Sequence, residues 1–263
     1  MLQNTSFIKR NEPKESGEER CGFLDLHSHV LPCVDDGSES VEESVEMLRV
    51  AGRCGVGIMV ATPHFLAHCD TLERFLKRRS EAVELLVGEA RKSIANGDRL
   101  PSLGVGAEVE FFVGMSKSTA LKSLCIMGTK LILVEMPFEE WSGAMVEELF
   151  QIKANLGLVP VIAHIDRYIR YQPRDVMSAV LSGEILIQMN ADALARRSLR
   201  SACMKMLRAG EVDFLGSDCH NLTDRSPDMS VALGAIEGKL GGEMLDELAK
   251  FGSYALKDAD FVI

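Results

Sequence analysis

Five of the six histidines in this chain fall at the ends of short apolar runs, and carboxylates accompany them. His27 and His29 lie in Asp25-Leu-His-Ser-His and His64 in Ala61-Thr-Pro-His. Glu108 and Glu110 lie in Gly106-Ala-Glu-Val-Glu, and Glu135 in Val134-Glu-Met-Pro. His164 and Asp166 lie in Ala163-His-Ile-Asp-Arg-Tyr, and Asp218 and His220 in Ser217-Asp-Cys-His-Asn. Imidazole and carboxylate together suit transition metals such as Zn, Mn, Fe or Ni rather than Ca. In a strand, residues i and i+2 face the same side, so His27 with His29, and Asp218 with His220, can each aim two ligand atoms at one point. A carboxylate has two oxygens and can bridge two ions, so a set this large fits a cluster better than a single ion. A lone histidine at a strand end is more often a hydrogen-bonded structural residue; it is the collection that points to metal. Glu110 is weaker and reads as solvated or salt-bridged, while Gln188 and Asn190 read equally as polar filling of a barrel. His68 falls in a loop. Asp35-Asp36-Gly37 is a turn that also offers a ligand. Asp36 is the choice, although spacing does not decide between Asp35 and Asp36.

Seven apolar runs of strand length must position these groups: Gly22 to His29, Val56 to His64, Leu103 to Phe112, Leu131 to Pro137, Leu158 to His164, Ile185 to Asn190 and Val212 to Asp218. Most lack polar alternation, as expected of parallel strands buried on both faces. Helical patterns lie between them. Ser40-Val-Glu-Glu43 is a capping-box signature, and apolar stripes begin at Leu72 and Met145. The segments 172–183, 196–209 and 229–250 also read as helices. This alternation predicts a βα-barrel or an open α/β sheet, with chemistry at the C-terminal strand ends. Residues 1–21 are polar and read as an N-terminal extension, leaving 22–263 as one domain.

Two arginines sit just past ligand candidates, Arg167 after His164 and Arg225 after His220. Guanidinium groups match phosphate oxygens in bidentate fashion, so the pair reads as an oxyanion clamp. Cys219 to Ser226 also matches Cys-x5-Arg-Ser, the phosphate loop of cysteine-dependent phosphatases. Here the loop lacks the glycines that let successive amides turn inward. Cys219 also lies between two metal-facing residues, which aims it away from them.

Composition narrows the class. With 263 residues, 46% hydrophobic and 26% charged, the chain is an ordinary globular one. The net charge of −10 argues against nucleic-acid or anionic-membrane binding. No apolar run approaches the ~20 residues needed to span a bilayer. The N-terminus has no apolar signal-peptide core, and seven scattered cysteines without CxxC suit a reducing compartment. A cytoplasmic location follows as an expectation. The oligomeric state is open.

In combination and in order, from about Gly22 to Pro227, these motifs resemble the polymerase and histidinol phosphatase (PHP) superfamily. The nearest branch is that of the bacterial capsule-operon protein-tyrosine phosphatases of CpsB/CapC type. The resemblance implies a distorted seven-stranded βα-barrel with three divalent metal ions, manganese first, with Fe, Zn or Mg as alternatives. Carried over by position, the ligands are His27, His29, Asp36, His64, Glu108, Glu135, His164, Asp218 and His220, and Arg167 and Arg225 match the phosphate-binding arginines. The family commonly has Glu where this chain has Asp166, which puts any proton-transfer or orienting role of Asp166 in question. The implied activity is hydrolysis of phosphotyrosine by direct attack of a metal-bridging hydroxide. The implied partner is a phosphotyrosyl protein, the tail of a bacterial tyrosine kinase of exopolysaccharide synthesis. The alternatives are a PHP phosphatase of a small phosphomonoester such as histidinol phosphate, a cysteine-dependent phosphatase using Cys219 and Arg225, and a non-catalytic metal-binding scaffold.

Overall fold

The computed structural model describes residues 22–263, so the reading of 1–21 as an extension lies outside the described residues. The strands are β1 (Phe23–Ser28), β2 (Val56–Ala61), β3 (His64–Phe65), β4 (Ser102–Val105), β5 (Glu108–Glu110), β6 (Leu131–Glu135), β7 (Val159–Ile162), β8 (Leu186–Asn190) and β9 (Phe214–Gly216). The helices are α1 (Val41–Arg53), α2 (Leu72–Ala95), α3 (Gly143–Leu156), α4 (Arg174–Val180), α5 (Arg197–Ala209), α6 (Ser230–Leu240) and α7 (Gly242–Ala255).

Every strand pairing is parallel. The strands form two sheets, β1-β2-β4 and β3-β5-β6-β7-β8-β9. These are one curled sheet read through two interruptions. β2 and β3 are halves of one extended run broken at Thr62-Pro63, where proline has no N–H to give a ladder. β4 and β5 are halves of another, broken at Gly106-Ala107. The seven expected runs thus become nine strand segments. The ring closes through a parallel bridge between Ser28 and Cys219. There the Asp218 N–H donates to the His27 carbonyl at 2.8 Å, and the His29 N–H donates to the Cys219 carbonyl at 2.9 Å. The architecture is a distorted α/β barrel of seven runs.

The helices start where the sequence asks. The Ser40 hydroxyl accepts from the Glu43 N–H at 3.1 Å. The returning arm of that box goes one residue further out, Glu43 Oε2 accepting from the Glu39 N–H at 2.8 Å. The expected helix over 229–250 is two helices, because Gly241 at φ +88° lies outside helical space. The segment 172–183 is helical only over Arg174–Val180.

Two apolar layers result. The larger packs α1 to α7 against the sheet. The smaller fills the barrel with Leu24, Leu26, Val60, Leu133, Val161 and Phe214, and Leu256 of the chain just past α7 packs into it. On β6, Leu131 and Leu133 belong to that interior and Glu135 continues the alternation to the rim. On β8, Leu186 is followed in the same way by Gln188 and Asn190. The interior is therefore apolar below and polar above, which places the polar groups over a floor of low polarisability. Among the described residues, no helix is long and apolar enough to cross a membrane.

Candidate metal centre

The polar end of the barrel gathers the residues named from the sequence. Around Glu108, which is 1% exposed, Oε2 lies 3.2 Å from His27 Nε2, 3.3 Å from His29 Nε2 and 3.1 Å from His64 Nδ1. Its Oε1 lies 2.9 Å from His164 Nε2. Glu135 stands 3.4 Å from His164 Nε2 and 3.9 Å from His64 Nδ1. Asp218 Oδ1 lies 3.6 Å from His27 Nε2 and 3.5 Å from His29 Nε2. Asp36 Oδ1 is 3.4 Å from His220 Nε2 and 3.6 Å from His64 Nε2. All nine ligand candidates thus share one cluster. Three groups of donors lie within ion-binding reach: His29, Asp36, His64 and His220; His27, His29 and Glu108; and His64, Glu108 and Glu135.

Local backbone geometry accounts for the convergence. His27 and His29 meet as expected, their Nε2 atoms 3.1 Å apart. Asp218 and His220 do not converge through strand alternation, because β9 ends at Gly216. Asp218 sits instead at φ +52° and His164 at φ +31°, left-handed conformations costing roughly 1–3 kcal/mol each for non-glycine residues. Gly37 packs against His29: a Cβ there would lie 2.2 Å from the His29 carbonyl oxygen and 2.5 Å from its Cβ.

A layer of fixed partners sets which ring nitrogens face inward. His29 Nδ1 donates to Asp35 Oδ2 at 2.7 Å, so the neutral ring presents its Nε2 lone pair inward. His27 Nδ1 donates to Gln188 Oε1 at 3.2 Å, with the same consequence. His220 Nδ1 donates to the Asp218 carbonyl at 3.1 Å, turning Nε2 toward Asp36. Gln188 Oε1 also accepts from the His164 N–H at 2.6 Å. Its amide nitrogen donates to Asn190 Oδ1 at 3.0 Å, and Asn190 Nδ2 donates to Asp218 Oδ2 at 2.8 Å. Gln188 and Asn190 are therefore orienting residues of the site rather than inert filling.

These bonds make the donor set fit cations. With both Nδ1 atoms committed outward, His27 Nε2 and His29 Nε2 stand 3.1 Å apart, a separation that needs a proton or a metal cation between them. Among the described residues, six buried side-chain polar atoms lack a hydrogen-bond partner, and four of them belong here: His64 Nδ1, Glu108 Oε2, His164 Nδ1 and His220 Nε2. An imidazole nitrogen serves one ion and a carboxylate can serve two, so this set suits several divalent ions.

The carboxylates shape the field. Burial works against charge on Glu108, yet the His27 charge, the bond to His164 and the nearby His27 and His29 rings hold its carboxyl well below the usual range. Asp218 is likewise held low against burial by His27, Arg167 and His29. Burial opposes protonation of His29, but the bonds to Asp35 and Glu108 outweigh it and raise its pKa to about 10. His164 rises to about 9 in the same way through Glu108 and Glu135. His220 is lowered to about 4 by burial and by the His29 and Arg225 charges. A field that draws protons to imidazoles draws metal cations too.

Asp35 and Asp36 have different surroundings. Both Asp35 oxygens are occupied, Oδ2 by His29 and by the His64 N–H at 2.8 Å, Oδ1 by the Gly37 N–H at 3.0 Å. Asp36 is 68% exposed on its side chain and has only the two imidazoles before it. Glu110 turns away to His68 at 2.7 Å, outside the cluster.

Arg167 and Arg225 both reach Asp218, Arg167 at Oδ2 and Arg225 at Oδ1, the latter at 2.6 Å. Their guanidinium groups thus stand about one carboxylate apart at the cluster's edge. Asp166 is buried, with Oδ1 accepting from the Asn190 N–H at 2.9 Å and Oδ2 unpartnered, and burial raises its pKa. Cys219 is fully buried, and that burial, with the Asp25 charge, pushes its thiol far up. A nucleophilic thiolate has no place there.

Asp25 went unremarked as a working residue. It accepts from the Ser217 N–H at 2.8 Å and the Ser217 hydroxyl at 2.6 Å, tying β1 to the segment after β9 beneath the site. Burial raises its pKa to about 6. Its position two before His27 in the run was the available signal.

Comparison with known proteins agrees with this geometry. The chain is 30% identical over 228 residues to the tyrosine-protein phosphatase YwqE of Bacillus subtilis, covering 84% of this chain and 87% of that one. It is 28% identical over 237 residues to the tyrosine-protein phosphatase CpsB of Streptococcus pneumoniae, covering 86% and 94%. A crystal structure from work on YwqE and CpsB, described there as unique metal-dependent tyrosine phosphatases, superposes with a TM-score of 0.76 at 26% identity. It covers 90% of this chain and 96% of that chain. The model of the CpsB/CapC family of capsular polysaccharide synthesis matches residues 23–254. Fold, donor cluster and matched span together place the chain in the CpsB/CapC family, the tyrosine-phosphatase branch of the PHP superfamily.

Proposed function

We propose that this chain is a metal-dependent protein-tyrosine phosphatase that hydrolyses phosphotyrosine directly, without a phosphoenzyme. The observation that carries the reading is the inward convergence of imidazole lone pairs and ionised carboxylates, bordered by two arginines. The nine residues proposed to hold metal are His27, His29, Asp36, His64, Glu108, Glu135, His164, Asp218 and His220. Three divalent ions fit this number of donors, with manganese the first choice. When bound, they supply Lewis acidity toward water and phosphate oxygen.

The chain's own residues then have separable tasks. Arg167 and Arg225 neutralise the equatorial oxygens of the transferring phosphoryl group, where charge is spread in the transition state. Asp35, Gln188 and Asn190 hold the donors in register, so little reorganisation accompanies reaction. The apolar barrel floor keeps bulk water from below and strengthens each electrostatic contact above it. A tyrosine phenol, with pKa about 10, leaves more readily than a serine alcohol, so a general acid is not demanded. Asp166 is assigned a positioning role, because its carboxyl holds the Asn190 N–H. The proposed partner is a phosphotyrosyl segment of a kinase of exopolysaccharide synthesis; what supports it is that the relatives are tyrosine-protein phosphatases and the family is one of capsular polysaccharide synthesis.

The test compares a phosphotyrosyl peptide with histidinol phosphate, using full-length protein loaded in turn with Mn, Fe, Zn or Mg. Preference for the peptide supports the proposal. Preference for histidinol phosphate transfers the site to small phosphomonoesters, and no turnover with any metal removes the catalytic reading.

A further inference from the structure

Phe138 is an exposed aromatic residue at the edge of the cluster. It lies three residues after Glu135 and is 60% exposed. One face is covered: its ring is stacked over the His164 ring at 14° with centroids 6.1 Å apart, and it stands 5.3 Å from the Tyr168 ring. Tyr168 is fully buried, packed 4.9 Å from Trp141, with its hydroxyl donating to the Met136 carbonyl at 2.7 Å.

The loop carrying Phe138 is pinned on both sides. The Trp141 indole N–H donates to the Pro137 carbonyl at 3.0 Å. Gln172 accepts from the Trp141 N–H at 2.8 Å and donates to the Glu139 carbonyl at 2.8 Å. A large apolar ring held out on a braced loop loses the benefit of burial and keeps little freedom. That arrangement is expected of a surface awaiting a partner ring. Other exposed apolar side chains sit in loops after the same strand ends: Val113 after β5, Tyr171 after β7 and Leu222 after β9. Phe138 thus sets an apolar surface beside the polar centre, where Arg167 and Arg225 stand to meet the phosphate end of a ligand.

We propose that Phe138 is the wall of an aryl subsite, which takes the phenyl ring of a phosphate monoester while the phosphoryl group sits on the cluster. This rests on the phosphatase reading above and adds the origin of a preference for aromatic over alkyl esters. The open face of Phe138 and the tilt of Tyr168 beneath it suit an offset or edge-on ring pair.

The test is binding rather than turnover. Full-length protein loaded with Mn²⁺ is titrated calorimetrically with phenylphosphonate and with methylphosphonate, which differ only in the ring. The expected result is tighter binding of phenylphosphonate by the wild type. Phe138→Ala should weaken phenylphosphonate by about 2- to 12-fold, the worth of one aromatic pair, and leave methylphosphonate unchanged. Phe138→Tyr should retain the preference. Equal binding of the two ligands by the wild type, or equal losses for both in Phe138→Ala, would overturn the subsite, the second by showing that Phe138 only supports His164. Ring-dependent binding without phosphotyrosine hydrolysis would keep the subsite and sink the phosphatase reading, so the two claims fail separately.

Discussion

Replacing Asp35 by Asn tests the division of labour between adjacent aspartates. Asp35 Oδ2 accepts from His29 Nδ1 at 2.7 Å and from the His64 N–H at 2.8 Å, and Oδ1 accepts from the Gly37 N–H at 3.0 Å. An Asn amide has one acceptor oxygen. Placed at Oδ2, it leaves its NH₂ group facing the Gly37 N–H; flipped, it faces His29 and His64 with donors. At least one bond is lost in either orientation, and the surviving bonds are no longer charge-assisted, roughly halving their strength. Loss of such an orienting partner typically costs 10- to 100-fold in metal affinity, or about 1.4 to 2.7 kcal/mol. Asp36→Asn should act differently. That side chain is exposed and meets only two imidazoles at 3.4 and 3.6 Å. It should leave the metal-free protein's melting temperature in place while weakening metal binding. Asp35→Asn should lower both. Chelator competition gives the affinities, and melting in excess chelator gives the metal-free stability. Wild-type affinity and wild-type melting in Asp35→Asn would refute the reasoning.

Four further outcomes follow from the same geometry. Arg225→Ala should lower kcat about 10²- to 10³-fold, the usual cost of removing one anion-stabilising donor, with metal content by elemental analysis unchanged. Asp166→Asn preserves an acceptor for the Asn190 N–H, so activity should stay within a few-fold and the alkaline limb of the pH profile should remain; loss of that limb would make Asp166 a proton donor. Gly37→Ala should displace His29 and abolish full metal loading, since its Cβ has no room, and elemental analysis reads this directly. The metal-free protein should lose stability as pH rises: His29 and His164 are raised from 6.5 to about 10 and about 9. Their protonated forms therefore stabilise the fold fully below about 6.5, and this contribution disappears as pH climbs through 9 and 10. Metal-loaded protein, with those protons displaced, should show no such decline in thermal melts across this range.

The barrel was legible because parallel strands buried on both faces leave uninterrupted apolar runs, and the donors at their ends mark the open end of the barrel. Its interruptions were less so. Pro63 and Gly106 break ladders that the apolar pattern carries straight through, and Gly241 splits a helix whose stripe continues across it. Most ligand candidates stood out at strand ends and the full set was implied by the family resemblance, but the reason that Asp218 meets His220 was not legible, since a left-handed turn rather than strand alternation brings them together. The orienting residues were the hardest to assign. Asp35 and Asp36 are chemically identical neighbours, and only the direction of His29 Nδ1 distinguishes them. Gln188 reads as barrel filling until its oxygen is seen to accept from both the His27 ring and the His164 backbone. Cys219 shows the converse: a motif match with a phosphate loop that the fold buries completely.

The central claim is that cations held by this cluster, and not Cys219, drive phosphotyrosine hydrolysis. The direct measurement is turnover of a phosphotyrosyl peptide by the full chain before chelation, after chelation and after Mn²⁺ is restored, with Cys219→Ser run in parallel. The account predicts loss on chelation, recovery with metal and persistence in Cys219→Ser. Activity that survives chelation and is abolished by a thiol alkylator or by Cys219→Ser would contradict it.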